Sequence, residues 1–325
     1  MRGTASWRAV RLFSRTGRAF HRPLTRTFAW GWAWALLATL TATTGNAGSL
    51  SYCDGTAEPG AQTQDRLIRV ASLVKAELER SGQTVALVAR SGLSLQRLNQ
   101  RYSHAGVSMR ANTNAPWSVR QLYFACDEKR PRIFDQGMAG FVLGATDPNE
   151  GYVSIVLLPT EASEALERQA LDNRLALQLL GPTYSANAHA FSVRYQNCNQ
   201  WLAELLALAW GPTPNPEHKP RTYAQTWLLA QGYAPTVLNV GWRPLMWLAP
   251  HLPWVHTDDH PQSDLDQTRF RVSMPESIEA FARARYPEAQ RIELCYTAHQ
   301  VVLRRSWEPI ASGCKAAPGD TVTAL

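Results

Sequence analysis

Residues 195–210 read Tyr-Gln-Asn-Cys-Asn-Gln-Trp-Leu-Ala-Glu-Leu-Leu-Ala-Leu-Ala-Trp. Asn197 is a good helix N-cap, and the residues after it favour a helix. Trp201, Leu202, Leu205, Leu206, Leu208 and Ala209 make that helix apolar almost all round, so no broad face of it suits water. It belongs inside a domain, covered on several sides, and this constrains the fold more than any other feature. Its first turn carries Cys198. Unpaired N–H groups and the positive end of the helix dipole favour thiolate over thiol there, which is what a sulfur nucleophile on a rigid mount requires.

The rest of the chain can supply that cover. Its 325 residues are 45% hydrophobic and 18% charged, which excludes a disordered, collagen-like or miniature disulfide-stapled protein. The net charge of +7 comes from seven arginines in residues 1–47 with no acid among them, so the remainder is balanced and nucleic-acid binding is not expected. That arginine-rich start, the apolar stretch 28–40 and the small residues Gly45-Asn46-Ala47 have the layout of an export signal cleaved after Ala47, which places the remainder in the periplasm. The apolar stretch falls short of the roughly 20 residues a membrane-spanning helix needs. The long basic region and the row Trp30, Trp32, Trp34 support the alternative, an uncleaved inner-membrane anchor with the rest facing the periplasm. The five cysteines are Cys53, Cys126, Cys198, Cys295 and Cys314; in an oxidising compartment an odd number leaves one over. The expected pairs are Cys53 with Cys126 and Cys295 with Cys314, leaving Cys198 as the thiol.

Apolar periodicity predicts a helix over 62–80, strands over 84–89, 104–109, 118–125 and 152–158, and a helix over 161–180. After Trp210 come a proline-rich loop, a short helix over 222–231, a Trp/Pro-rich stretch over 233–256, a helix over 275–285 and strand-like runs over 291–296 and 299–304. The expected fold is α+β: a small antiparallel sheet packed on the buried central helix. Residues 1–47 form the signal, 48–210 the core, and 211–325 a helical extension packed on it. There is no phosphate-cradling glycine loop, His-Glu-x-x-His zinc helix or Gly-x-Ser-x-Gly elbow.

A thiol nucleophile needs a base. His104 opens an apolar strand in Arg-Tyr-Ser-His-Ala-Gly-Val-Ser-Met, where Ala105 and Gly106 leave room for a backbone or ligand to approach. A third polar group should orient the ring, and Gln121, across the following hairpin, is assigned that role, with Tyr123 and Asn199 as alternatives. Asn199, Asn197 and Tyr102 are the expected oxyanion- or substrate-binding residues. Asp135-Gln136-Gly137 with Gly140 and Gly144 reads as a turn-rich connection. His251, His256, Asp258, Asp259 and His260 have metal-ligating chemistry, but their crowded spacing reads better as a solvated loop. Trp242, Trp247 and Trp254 read as an irregular cover on the core, with membrane-surface contact as the alternative. Asp54, Glu58 and Glu204 form no readable glycosidase pair.

The segments Leu87-Val-Ala-Arg-Ser-Gly, Tyr102-Ser-His-Ala-Gly-Val and Asn197-Cys-Asn-Gln-Trp resemble the circularly permuted papain-like cysteine hydrolases related to NlpC-type cell-wall peptidases and lecithin retinol acyltransferase, in which His precedes Cys. With Asp135-Gln-Gly-Met-Ala-Gly-Phe added, the pattern is similar to an exported bacterial family labelled a domain of unknown function, over about residues 84–210. The resemblance implies Cys198 as nucleophile and His104 as base of an exported hydrolase or acyltransferase. Its substrate would be a cell-envelope peptide, amide or lipid ester, and no metal or cofactor would be needed. The family's third polar position has no clean match. A catalytically inactive envelope binding protein on the same fold is the alternative.

Overall fold

The computed structural model describes residues 59–325 apart from residues 146, 216, 242–245, 247–251 and 253. The proposed leader, Cys53, Asp54, Glu58, Trp242, Trp247 and His251 therefore lie outside the described residues. Helix α1 (Ala61–Arg80) leads into strands β1 (Val85–Arg90), β2 (His104–Met109), β3 (Ser118–Ala125) and β4 (Arg130–Gln136). Helix α2 (Met138–Leu143), strand β5 (Gly151–Leu157) and helices α3 (Thr160–Leu171), α4 (Asn173–Gln178), α5 (Cys198–Trp210) and α6 (Pro220–Ala230) follow. The chain ends with β6 (Thr236–Asn239), α7 (Gln262–Asp266), β7 (Arg269–Val272), α8 (Pro275–Arg285), β8 (Gln290–Tyr296), β9 (Gln300–Arg304) and β10 (Thr321–Ala324).

The fold is α+β, but the sheet is not small: eight strands run in the order β10-β9-β8-β5-β1-β2-β3-β4, every neighbouring pair antiparallel. Nor is the stretch after residue 210 merely helical. Its strands β8, β9 and β10 extend the sheet from β5, and β6 and β7 form a separate two-stranded ribbon. Both faces of the large sheet are covered, which explains why β1, β2 and β5 are buried at every position. On one face Val85, Leu87 and Ala89 meet the central helix α5; on the other Ala86 and Val88 meet α1 and Phe141 of α2.

Helix α5 is the buried element that the sequence predicts. Asn197 caps it by accepting from the Gln200 N–H at 2.6 Å, and all of its residues except Ala209 are buried. Its one charge, Glu204, is fully buried and held by Arg221, Gln225 and Gln196 at 2.7 to 3.0 Å. The predicted helix over 161–180 is broken at Asp172, whose carboxylate accepts from Arg174 N and Leu175 N and starts α4. The stretch Asp135–Gly144 is no simple turn: it ends strand β4 and forms α2. Cys295 is bonded to Cys314, and Cys126 is also disulfide-bonded. Cys198 is the free thiol among the described residues. No helix among them is long and apolar enough to cross a membrane.

Candidate functional site

Cys198 opens α5 at the end of β2. Its Sγ lies 4.0 Å from the Ser103 carbonyl oxygen, and the neighbouring Asn199 Nδ2 donates to that same carbonyl at 3.2 Å. The thiol is therefore set against the residue just before His104. Burial pushes it up to about 11, while the Asn199 N–H, the Arg90 guanidinium, its own N–H and the Tyr184 hydroxyl act the other way by favouring thiolate.

His104 and Gln121 are brought together: His104 Nε2 lies 2.6 Å from Gln121 Oε1, while Gln121 Nε2 donates to Gln136 Oε1 at 2.6 Å. With the Gln121 oxygen toward the ring, the matching tautomer carries its hydrogen on Nε2 and leaves Nδ1 as the basic nitrogen. The contact is possible because β2 and β3 approach closely at Gly106. A Cβ there would lie 2.6 Å from Val119 Cγ1 and 2.7 Å from the Arg120 carbonyl oxygen, so the small residue makes room for a neighbouring strand. Burial, with the Arg90 charge adding to it, holds the imidazole down to about 3 against the opposing Gln121 hydrogen bond.

The thiol and the imidazole lie at the same end of β2, but no hydrogen bond joins them. Ala105, Val107 and Met109 share the hydrophobic cluster of Cys198, whereas strand alternation puts His104 with Gly106 on the other face, its ring centroid 6.3 Å from that of Phe141. At neutral pH the thiol and the imidazole are both uncharged. Proton transfer between them requires the ring to turn toward the helix.

The remaining predicted residues serve other contacts. Asn197 is a buried cap whose Nδ2 also donates to the Ala186 and Ser273 carbonyls at 3.4 and 3.3 Å. Asn199 Nδ2 is spent on Ser103, and its Oδ1 is buried without a partner. Tyr102 points away from the thiol into a buried network: its hydroxyl donates to Glu293, and Arg291 Nη2 donates to the phenolic oxygen at 2.9 Å. A cleft of about 640 Å³ lies over that network, lined by Tyr102, Arg101, Glu276, Arg291 and Trp307, and it does not include Cys198 or His104. Tyr123 is half-exposed and packs edge-on to Phe134 at 5.9 Å. His256 stacks on Tyr195 at 4.2 Å, His260 Nε2 bonds the Asn187 carbonyl at 2.8 Å, and Asp259 accepts from the His189 N–H at 2.9 Å. These groups tie residues 254–260 to the segment leading into α5. Trp254 packs against the main core.

Two groups at the site were not singled out from the sequence. Arg90 stands directly across β1 and β2 from His104, and Tyr184 reaches the thiol. Arg90 lies in the Leu87-Val-Ala-Arg-Ser-Gly segment, but nothing there gives it a role until the strand register is known, and Tyr184 carries no local signal.

Residues 77–282 match a family described as an uncharacterized protein conserved in bacteria (DUF2145). The match spans more than half of the 325 residues, and the chain belongs to that family. No curated protein and no solved structure matches the chain.

Proposed function

We propose, from membership of that bacterial family as the premise, that the protein is a thiol-dependent hydrolase or acyltransferase on a permuted papain-like plan, acting outside the cytoplasm on an amide, peptide or ester of the cell envelope. The observation that carries this reading is an unpaired cysteine at the start of a buried helix, against the residue next to a histidine whose Nε2 is held by a glutamine. Disulfides elsewhere in the chain are compatible with an oxidising compartment.

In the reaction His104 Nδ1 takes the thiol proton as Sγ attacks the substrate carbonyl. The imidazolium returns that proton to the leaving nitrogen, oxygen or sulfur as the carbonyl bond to it breaks, giving a thioester on Cys198. Water or a second acceptor then gives a proton to His104, attacks the thioester and releases the acyl group and the thiol. The backbone N–H groups of Cys198 and Asn199 face the sulfur and are the nearest donors to an oxyanion formed there.

A second reading is favoured by one observation: the imidazole leaves β2 on the face away from the helix, as expected of a binding protein that keeps the fold without the chemistry. An activated acyl ester at neutral pH, followed by intact-mass and peptide mapping, separates the two. The enzyme reading expects acylation of Cys198, slowed about 10²-fold or more in His104→Ala. Absent or His104-independent labelling supports the binding protein.

A further inference from the structure

The cleft of about 640 Å³ beside Tyr102 has α8 as one wall, where Glu276, Glu279, Ala280, Arg283 and Ala284 recur at helical spacing and form one stripe facing it. Its volume falls within the roughly 300–1,000 Å³ of small-ligand sites. Most of its charges are already answered. Glu293 accepts from Arg101 Nη1 at 2.8 Å, from Arg291 Nη2 at 3.1 Å and, through its other oxygen, from the Ile310 N–H at 2.6 Å. Glu279 accepts from Arg291 Nε at 3.0 Å. Two charges of opposite sign are left, one at each end of the stripe. Glu276 accepts the Arg101 N–H at 3.2 Å and has no ion pair among the described residues. Arg283 has neither a hydrogen bond nor an ion pair among them. Its Cζ stands 4.9 Å from the centroid of Trp307, a ring held by its own Nε1 donating to the Ala289 carbonyl at 3.1 Å.

We infer that this cleft binds a short peptide of about three residues with both ends free, its ammonium on Glu276, its carboxylate on Arg283 and its backbone over Ala280. The charges set the ligand's polarity. Arg101, Arg283 and Arg291 balance Glu276, Glu279 and Glu293, so a ligand of either net charge leaves an excess in the cleft and a dipolar one leaves none. The helix sets its length. Glu276 and Arg283 are about two turns apart, roughly 10 Å along the axis, and an extended chain advances about 3.3–3.6 Å per residue. Ala280, midway between them, is exposed and leaves the middle of the stripe open. Trp307 and Pro309 give the cleft an apolar surface for the peptide's side chains. Burial raises Glu276 against the Arg101 N–H and the charges of Arg101 and Arg291, with Glu293 adding to the rise, and a ligand ammonium would offset that. The cleft holds neither Cys198 nor His104, so the inference stands apart from the thiol-dependent reading.

The test is calorimetric titration of the full chain at pH 7 with trialanine, N-acetyl-trialanine, trialanine amide and alanylalanine. Trialanine should bind, and either cap should weaken it about tenfold, as loss of a hydrogen bond between charged groups does. Alanylalanine, about 3.5 Å too short to reach both ends, should lose as much. Glu276→Gln should abolish the response to acetylation alone, and Arg283→Gln the response to amidation alone, because each variant removes the partner that its cap would release. Ala280→Leu, a good helix former at an exposed position, should melt with the parent and bind trialanine at least about tenfold more weakly. Cys198→Ser should bind it as the parent does. No binding at about 10 mM trialanine, or caps without effect, overturns the inference. So do cap effects that are unaltered in Glu276→Gln and Arg283→Gln, or binding that survives Ala280→Leu. Binding lost in Cys198→Ser would place the peptide at the thiol and also overturn it, whereas a Cys198 that never forms an acyl-enzyme would refute the proposed activity and leave this result standing.

Discussion

Gly106→Ala tests how the sequence element Ser-His-Ala-Gly builds the site. The added Cβ would lie 2.6 Å from Val119 Cγ1 and 2.7 Å from the Arg120 carbonyl oxygen, where ordinary contact begins at 3.4 Å. The carbonyl cannot rotate away, so β2 and β3 must part by about 0.7 Å at this point, and such overpacking costs about 1–3 kcal/mol. The same separation stretches the 2.6 Å contact between His104 and Gln121 toward its limit, removing about 1 kcal/mol more. At about 2–4 °C per kcal/mol for a domain of this size, the melting temperature should fall roughly 4–16 °C. The His104 Nε2 proton resonance should broaden or shift upfield. Gly137→Ala, with nothing within 4 Å of its added Cβ, is the control and should stay within about 0.5 kcal/mol of the parent. If Gly106→Ala melts with the parent and leaves that resonance in place, the claim that a glycine-enabled strand approach holds the His104–Gln121 pair is refuted.

Arg221→Met leaves Glu204 buried without its cation and should cost about 3–5 kcal/mol, read from the urea midpoint. Replacing both Cys295 and Cys314 by serine opens a loop of 19-residue separation and should cost about 3 kcal/mol by the chain-entropy relation, seen in thermal melts with and without reductant. His104 is held at about 3 when folded against 6.5 when exposed, so the unfolded chain binds the extra proton between those values. Its contribution is complete above pH 6.5 and is lost as pH falls toward 3, at up to roughly 1.4 kcal/mol per pH unit. His104→Gln should therefore flatten the pH dependence of the urea midpoint between pH 6 and 4, and an unchanged slope contradicts the assignment.

What could be read from the sequence is what local chemistry determines. Helix α5 is apolar on every side and capped by Asn197, so its burial and the first-turn place of Cys198 follow from residue type alone. Strands β2 and β3 carry enough apolar residues to be recognised. Strand β4, Arg-Pro-Arg-Ile-Phe-Asp-Gln, does not look like a strand because it is an edge, and arginine and proline are what keep an edge from pairing further. Strand β10 escapes notice for a related reason: every residue in it is exposed. The size of the sheet depends on β8 joining β5, from which it is far removed in sequence, and no local pattern carries that pairing. At the site, Gln121 can be chosen as the orienter because it is polar within a strand, but the face on which His104 emerges is set by strand alternation at the end of β2. Arg90 is invisible for the same reason, since its place depends on the β1–β2 register. Tyr102 looks free in the sequence because its partners, Glu293 and Arg291, come from the far end of the chain.

The most direct measurement is the Cys198 Sγ to His104 Nδ1 distance in a crystal structure of the protein with a slow-turnover acyl group or carbonyl electrophile bonded to Cys198. The ring should turn to the helix face while Nε2 stays on Gln121, bringing the two atoms to about 3–4 Å. An acylated sulfur with the imidazole still packed beside Phe141, on the Gly106 face and out of reach, would contradict a thiol–imidazole mechanism.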